Sequence, residues 1–264
     1  MQRILIIGAT GVMGTAAIRA VRDRFGSDAD ITGVWYGRPG DAPEVSGIDR
    51  LLFADIGDPA ALDAIVEAAG ERFDWCFYAT ALGDVGFPVT SATAEQIAAS
   101  NRLSFDPLAR LEARLQIGTL VGYSTFYNLD HQRITYGAMG HSKHALECWA
   151  LESGASVHRC IRAGAFVSGS SKGIKLLIRR HAKELAASEE PLLRSFFAGE
   201  KPSVAVDRLQ DAVFAEEREV LGDSGTDVDS LTAAHLRLLD GVDAPFVNVS
   251  GARVWTSDSV LPLV

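Results

Sequence analysis

The sequence predicts an α/β chain: a doubly wound parallel sheet with a helical insertion before its last strand. Three observations carry this. Short apolar runs alternate with helix-length stretches through residues 1–164. A glycine-rich turn over residues 8–14 joins the first apolar run to the first helix. A charged stretch over residues 168–239 then interrupts the alternation before one more apolar run. Near-continuous apolar strands belong to parallel sheets covered on both faces. Their alternation with helices winds the sheet in both directions.

Each element follows from its own pattern. Strands are expected at 4–8 (ILIIG), 31–36 (ITGVWY), 50–55 (RLLFAD), 74–80 (DWCFYAT), 117–124 (IGTLVGYS) and 157–164 (VHRCIRAG). Helices are expected between them at 14–25, 59–69, 93–114 and 136–152. Asp58 and Pro59 mark one helix start, with Asp as N-cap and Pro in the first turn. Residues 245–255 (PFVNVSGARVW) read as one last strand. The helical stretch 168–239 is expected as a lid over a substrate site, within a single domain spanning 1–264.

Composition narrows the function. The chain has 264 residues, 47% of them apolar, which suits a sizeable core. Its formal net charge of −9 argues against a general nucleic-acid or anionic-membrane surface. Cys76, Cys148 and Cys160 have no CxxC spacing and read as small buried hydrophobes, as in a reducing cytoplasm. The first strand begins three residues after Met1, and no apolar run approaches a membrane span, so a cytoplasmic protein is expected. His141 and His144 lie three apart with no third ligand, so no metal is expected. Lys172, Lys175, Arg179, Arg180, His181 and Lys183 form a basic cluster. It reads as a solvated helix face, or alternatively as a docking surface for a phosphate-bearing carrier.

The turn GATGVMG points to a dinucleotide. Gly8, Gly11 and Gly14 allow a tight turn and close approach to a pyrophosphate, and Thr10, Val12 and Met13 complete the segment at the helix N-terminus. Where an acid often favours NAD, the run after the second strand offers Arg38 instead, which pairs well with a 2′-phosphate and favours NADPH over NADH. Asp55 and Ile56, after the third strand, suit an adenine. The small residues Ala79, Thr80 and Ala81, after the fourth, allow backbone to approach a ribose.

Tyr136 and Lys143 stand in YGAMGHSK. A lysine ammonium near a phenol favours the phenolate, so the pair is expected to lower the tyrosine pKa and form a proton-donating device. The order of GxxGxxG, Ser124, Tyr136, Lys143 and RAG (162–164) resembles the short-chain dehydrogenase/reductase superfamily over roughly residues 1–169 and 246–255. The spacing Y-x-x-M-x-x-x-K, with Ala145-Leu146-Glu147 beyond it and AGAFVSGSSKGI at 163–174, is similar to its enoyl-acyl-carrier-protein reductases.

The resemblance implies a Rossmann-type fold and reduction of a conjugated C=C bond in an enoyl thioester or enone. The substrate is a small molecule, which may ride on coenzyme A or an acyl carrier protein. In this reading Lys143 anchors the nicotinamide ribose and Tyr136 holds the thioester carbonyl. Asn101 either supports a water relay to the lysine or bonds a neighbouring strand. Gly164 borders the cofactor, and a homodimer or tetramer is the implied assembly. Ser124 lies twelve residues before Tyr136, close to the ketoreductase arrangement. A carbonyl reductase using Ser124, Tyr136 and Lys143 is therefore the alternative, and a non-catalytic NADPH-binding protein a second one.

Overall fold

The computed structural model describes residues 1–37, 40–166 and 168–263. In chain order the elements are β1 (Gln2–Ile7), α1 (Val12–Phe25), β2 (Ala29–Trp35), β3 (Arg50–Phe53), α2 (Ala61–Ala69), β4 (Arg72–Tyr78), α3 (Ala94–Ser104), α4 (Pro107–Arg114) and β5 (Gln116–Thr125). There follow α5 (Asp130–Arg133), α6 (Gly137–Trp149), β6 (Val157–Ala163), α7 (Gly169–Arg180), α8 (Ala182–Ala186), α9 (Pro191–Phe197), α10 (Pro202–Leu221), α11 (Val228–Leu239), β7 (Phe246–Ser250) and β8 (Arg253–Ser257). The strands form one sheet in the order β3-β2-β1-β4-β5-β6-β7-β8. All neighbours through β7 are parallel, and β8 returns antiparallel to β7. Strand order reverses between β1 and β4. Doubly wound sheets bind their ligands at such a switch point, beyond the carboxyl ends of the strands.

Apolar packing covers both sheet faces. Ile4, Ile6, Ile31, Phe77, Val121 and Ile161 face α1 and α11, against Ala16, Ala17, Val21, Leu231 and Leu238. Leu5, Ile7, Cys76, Leu120 and Cys160 face α2, α4 and α6, against Ile65, Leu111, Leu146 and Trp149. Adjacent residues of one strand thus feed opposite cores, which explains why the strands read as unbroken apolar runs.

Four expectations are corrected in detail. The helix expected over 93–114 is two helices, α3 and α4, because Pro107 has no N–H to continue the first. Asn101 O instead takes both Phe105 N and Asp106 N, at 2.9 and 2.8 Å. The last strand is a hairpin, since Gly251 at φ +54° turns the chain between β7 and β8. The helix expected from residue 59 begins at Ala61, with Asp58 Oδ1 accepting from Ala60 N at 3.0 Å. Cys148 is exposed, whereas Cys76 and Cys160 are buried.

The stretch 168–239 divides by its packing. Helix α11 is an ordinary crossover helix of the sheet, packed on α1. Helices α7–α10 share a separate small core of Ile178, Leu185, Leu193, Phe196 and Leu209, which also takes in Ile134 from the segment after β5. This lobe is fastened beside the carboxyl ends of β5 and β6. Glu216 of α10 accepts from Asp130 N at 2.7 Å and His131 N at 2.9 Å, and Glu217 accepts from Ala165 N at 2.7 Å. Asp207 of α10 pairs with Lys175 and Arg179 of α7 and so balances part of the basic cluster.

Candidate cofactor and active site

The glycine turn is built for close approach. Gly8, at φ +83°, puts its Cα where a Cβ would lie 2.6 Å from Ala79 O. A Cβ on Gly14 would collide with Gly8 O and Ala9. Any side chain at either position would drive the turn away from β4 or the helix away from the turn. Gly11 N donates to Gly8 O at 3.0 Å, and Ala79 N donates to Ile7 O at 2.8 Å. The carboxyl ends of β1 and β4 are therefore locked together at the switch point.

Val12, Met13 and Gly14 head α1, where first-turn amides have no carbonyl within the helix to bind, and no acid occupies that turn. An exposed Thr10 and Gly11 complete a cradle fit for an anionic phosphate. Gly8, Gly14, Ala79 and Thr80 are thus brought together as the sequence implies, with Ala81 exposed just beyond.

Other expected cofactor residues fare unevenly. Asp55 is exposed at the end of β3, and its Oδ1 accepts from Gly57 N at 2.9 Å. Ile56 is turned into the core. Gly164 is buried beyond β6, walled by Glu217, Ser250 and Thr226. Arg38, on which the preference for NADPH rests, lies outside the described residues.

Tyr136 is the N-cap of α6, immediately before a glycine at φ +47°. Gly137 N binds Phe87 O at 2.9 Å, and Ala138 N binds Asp84 O at 3.0 Å, so the segment after β4 fixes the start of this helix. Among the described residues nothing hydrogen-bonds the Tyr136 hydroxyl. The expected lowering of its pKa is not found: burial pushes the phenol up, and Lys143 does not act on it.

Lys143 lies inside the protein, and its Nζ donates to Tyr123 O at 2.8 Å. Burial pushes the ammonium down to about 8, with nearby Cys160 and Glu147 opposing the shift. The residue one turn before it, Met139, turns its sulfur toward Ser100 and Ser104 of α3. Asn101 bonds a neighbouring helix rather than a strand: its Oδ1 accepts from Ser142 Oγ of α6 at 2.7 Å. Tyr123 bonds His235 at 2.7 Å in the core, and Phe126 stacks on Trp255.

Ser124 is committed elsewhere. Its Oγ donates to Glu147 Oε1 at 2.6 Å. That carboxylate also takes Arg162 Nε at 2.9 Å and Nη2 at 2.6 Å, a bidentate pair in which both partners are buried. Arg162 donates further to Asn248 Oδ1, Ser257 Oγ and Ser259 O, so all its N–H groups are satisfied. Glu147 Oε2 also accepts from Leu261 N at 3.0 Å, and Leu261 O lies 2.8 Å from the Tyr127 hydroxyl. None of this linkage is visible in the sequence beyond the fact that Ser124, Glu147 and Arg162 occur.

Thr125 is the second hydroxyl at this strand end. This neighbour of Ser124 ends β5, and its Oγ1 accepts from Gln132 Nε2 at 3.1 Å, leaving its own proton uncommitted. The signal that singled out Ser124, a hydroxyl at a strand end, applied equally to Thr125.

Solved structures share this architecture. An NAD+-bound xylitol dehydrogenase is 15% identical, with 95% of this chain and 98% of that one covered at a TM-score of 0.62. The NADPH-dependent 3-quinuclidinone reductase of Rhodotorula rubra is 15% identical over 95% of this chain and 90% of its own, at 0.63. A short-chain dehydrogenase/reductase of Saccharomyces cerevisiae is 15% identical over 94% and 96%, at 0.60. These likenesses establish the fold: a Rossmann-like, mostly parallel sheet flanked by helices. No family model matches the chain, and no curated protein matches it.

Proposed function

We propose that this chain is an NADPH-dependent reductase of a conjugated C=C bond in an enone or enoyl thioester. One observation carries the choice of bond. Of the two hydroxyls expected to face substrate, only the Tyr136 hydroxyl is free, because Ser124 gives its proton to Glu147. The cradle of Gly8 and Gly14 fits the pyrophosphate of a dinucleotide. A bound reduced nicotinamide supplies hydride. Tyr136 would hydrogen-bond the substrate carbonyl and stabilise the enolate that hydride addition at the β-carbon creates, and a proton taken from water at the α-carbon would complete the saturated product. Lys143 anchors the nicotinamide ribose and adds positive charge.

Tyr136→Phe is expected to lower kcat about 100-fold or more while NADPH binding persists, within the usual range for a positioned proton donor. Its measurement is NADPH oxidation against a crotonyl-type thioester with the product identified by mass. A saturated thioester supports the reading, and an alcohol from the matching β-keto thioester overturns it. Because kcat/KM reports groups of the free enzyme, its profile should fall above about pH 8 as Lys143 loses its charge.

A second reading, carbonyl reduction, is favoured by Thr125. Its hydroxyl oxygen, which accepts from Gln132, lies at the end of β5 and commits its own proton to no described residue. The xylitol dehydrogenase and quinuclidinone reductase of like fold are named for alcohol and ketone chemistry.

A further inference from the structure

Among the described residues, Glu217 is the buried acid whose environment the reductase reading leaves unexplained. It sits on α10 with no exposed surface. Its Oε1 accepts from Ala165 N at 2.7 Å, in the turn directly after β6, while Oε2 is buried with no hydrogen-bond partner. The wall around Oε2 holds Gly164, Thr226 and Ser250; each of the two hydroxyl oxygens and Oε2 lies 3.0 Å from where a Gly164 Cβ would stand.

Among the described residues no cation meets this carboxyl. From β8, Arg253 gives its guanidinium to Leu221 O; from the segment after β5, His131 is held by Glu216. Arg218, the next residue of α10, acts on Asp223, and the remaining charged neighbours are acids. Glu216 adjoins it on α10, Asp223 binds Ser224 N and Ala252 N beyond that helix, and Asp227 caps α11. An ionised carboxylate would therefore be buried with one oxygen bare, whereas a neutral carboxyl keeps the Ala165 bond at far lower cost. Burial accordingly pushes the Glu217 pKa up to about 7.

We propose that Glu217 is a positioning residue: its neutral carboxyl pins α10 and the helical lobe to the turn after β6, and ionisation loosens that joint. The turn carries Gly164 and Ala165 beside the proposed nicotinamide pocket. What the joint serves rests on the reductase reading; the joint itself does not.

The sign follows from linkage. With the closed-state pKa above that of an open, solvated glutamate, the joint is firmest below the ordinary carboxylate range. It weakens as pH rises to about 7 and is level above. If opening releases one proton, the open fraction grows about tenfold per pH unit within that window.

The test is hydrogen exchange on the whole protein, corrected for intrinsic rates, from about pH 5 to about pH 8. Protection of the Ala165 amide and of α10 should fall at least about tenfold up to pH 7 and then level off. In Glu217→Gln, which keeps an acceptor for Ala165 N but cannot ionise, it should stay flat. Level protection in the wild type, or an equal fall in the Gln variant, overturns the proposal. Should that variant not fold, a 13C carboxyl titration of the wild type decides. A Glu217 midpoint near 7 supports the joint, and one near the ordinary value of about 4.3 overturns it. A lack of reductase turnover would leave these readouts intact.

Discussion

Beneath α6 and beneath α10 the protein buries a glutamate with no exposed surface, and it treats the two in opposite ways. Glu147 meets a bidentate arginine, a serine hydroxyl and a backbone amide. Glu217 meets one backbone amide and no cation. The first arrangement keeps a charge and surrounds it. The second makes the charge costly, so the side chain is at ease only when neutral. A buried acid is therefore not a mechanistic clue until its partners are counted.

The widest gap between the two sites should appear when a partner is removed. Arg162→Leu strands the Glu147 charge and should cost about 3–5 kcal/mol in denaturant unfolding, as breaking buried pairs does. A loss under about 1 kcal/mol would mean the pair is not the closed unit described here. Next come the two neutral isosteres, which should differ in sign at about pH 8. Glu147→Gln should lose about 1–3 kcal/mol, since it puts an amide where five donors converge. Glu217→Gln should gain stability there, because wild-type Glu217 contributes fully only below the carboxylate range and loses that contribution as pH rises to about 7. Melting temperatures across pH measure both, and equal signs would erase the contrast. The smallest effects concern the hydroxyls ending β5. Ser124→Ala should change turnover by less than about threefold while lowering stability by about 1 kcal/mol, the scale of one hydrogen bond. Thr125→Ala should be similarly quiet for C=C reduction. A loss of about 100-fold in ketone reduction would instead promote the carbonyl reading.

Much of the scaffold was legible because buried parallel strands and glycine turns write themselves locally. Gly8 and Gly14 are required by contacts within their own turn and with Ala79 on the adjoining strand, so spacing alone announced them. The break at Pro107 was equally local and readable, yet the apolar pattern runs across it. The candidate chemistry was harder. Ser124 meets Glu147, Glu217 meets Ala165 and Arg162 meets Ser259, each across a long stretch of chain. Periodicity reports that a side chain is inside but not which polar partner waits there. Nothing in the run from Tyr136 to Lys143 announced that the lysine would turn to a strand carbonyl.

The Arg162–Glu147 pair also sets an order of events during synthesis. Ser259 and Leu261, which close it, are translated after every strand and helix of the sheet. Until they leave the ribosome, the guanidinium and carboxylate between β6 and α6 lack these backbone partners, and the nascent sheet carries a half-finished polar centre. A chain stopped just before Ser259 is expected to keep every strand and helix of the sheet yet leave that centre open to water, and loss of stability on such truncation measures the seal.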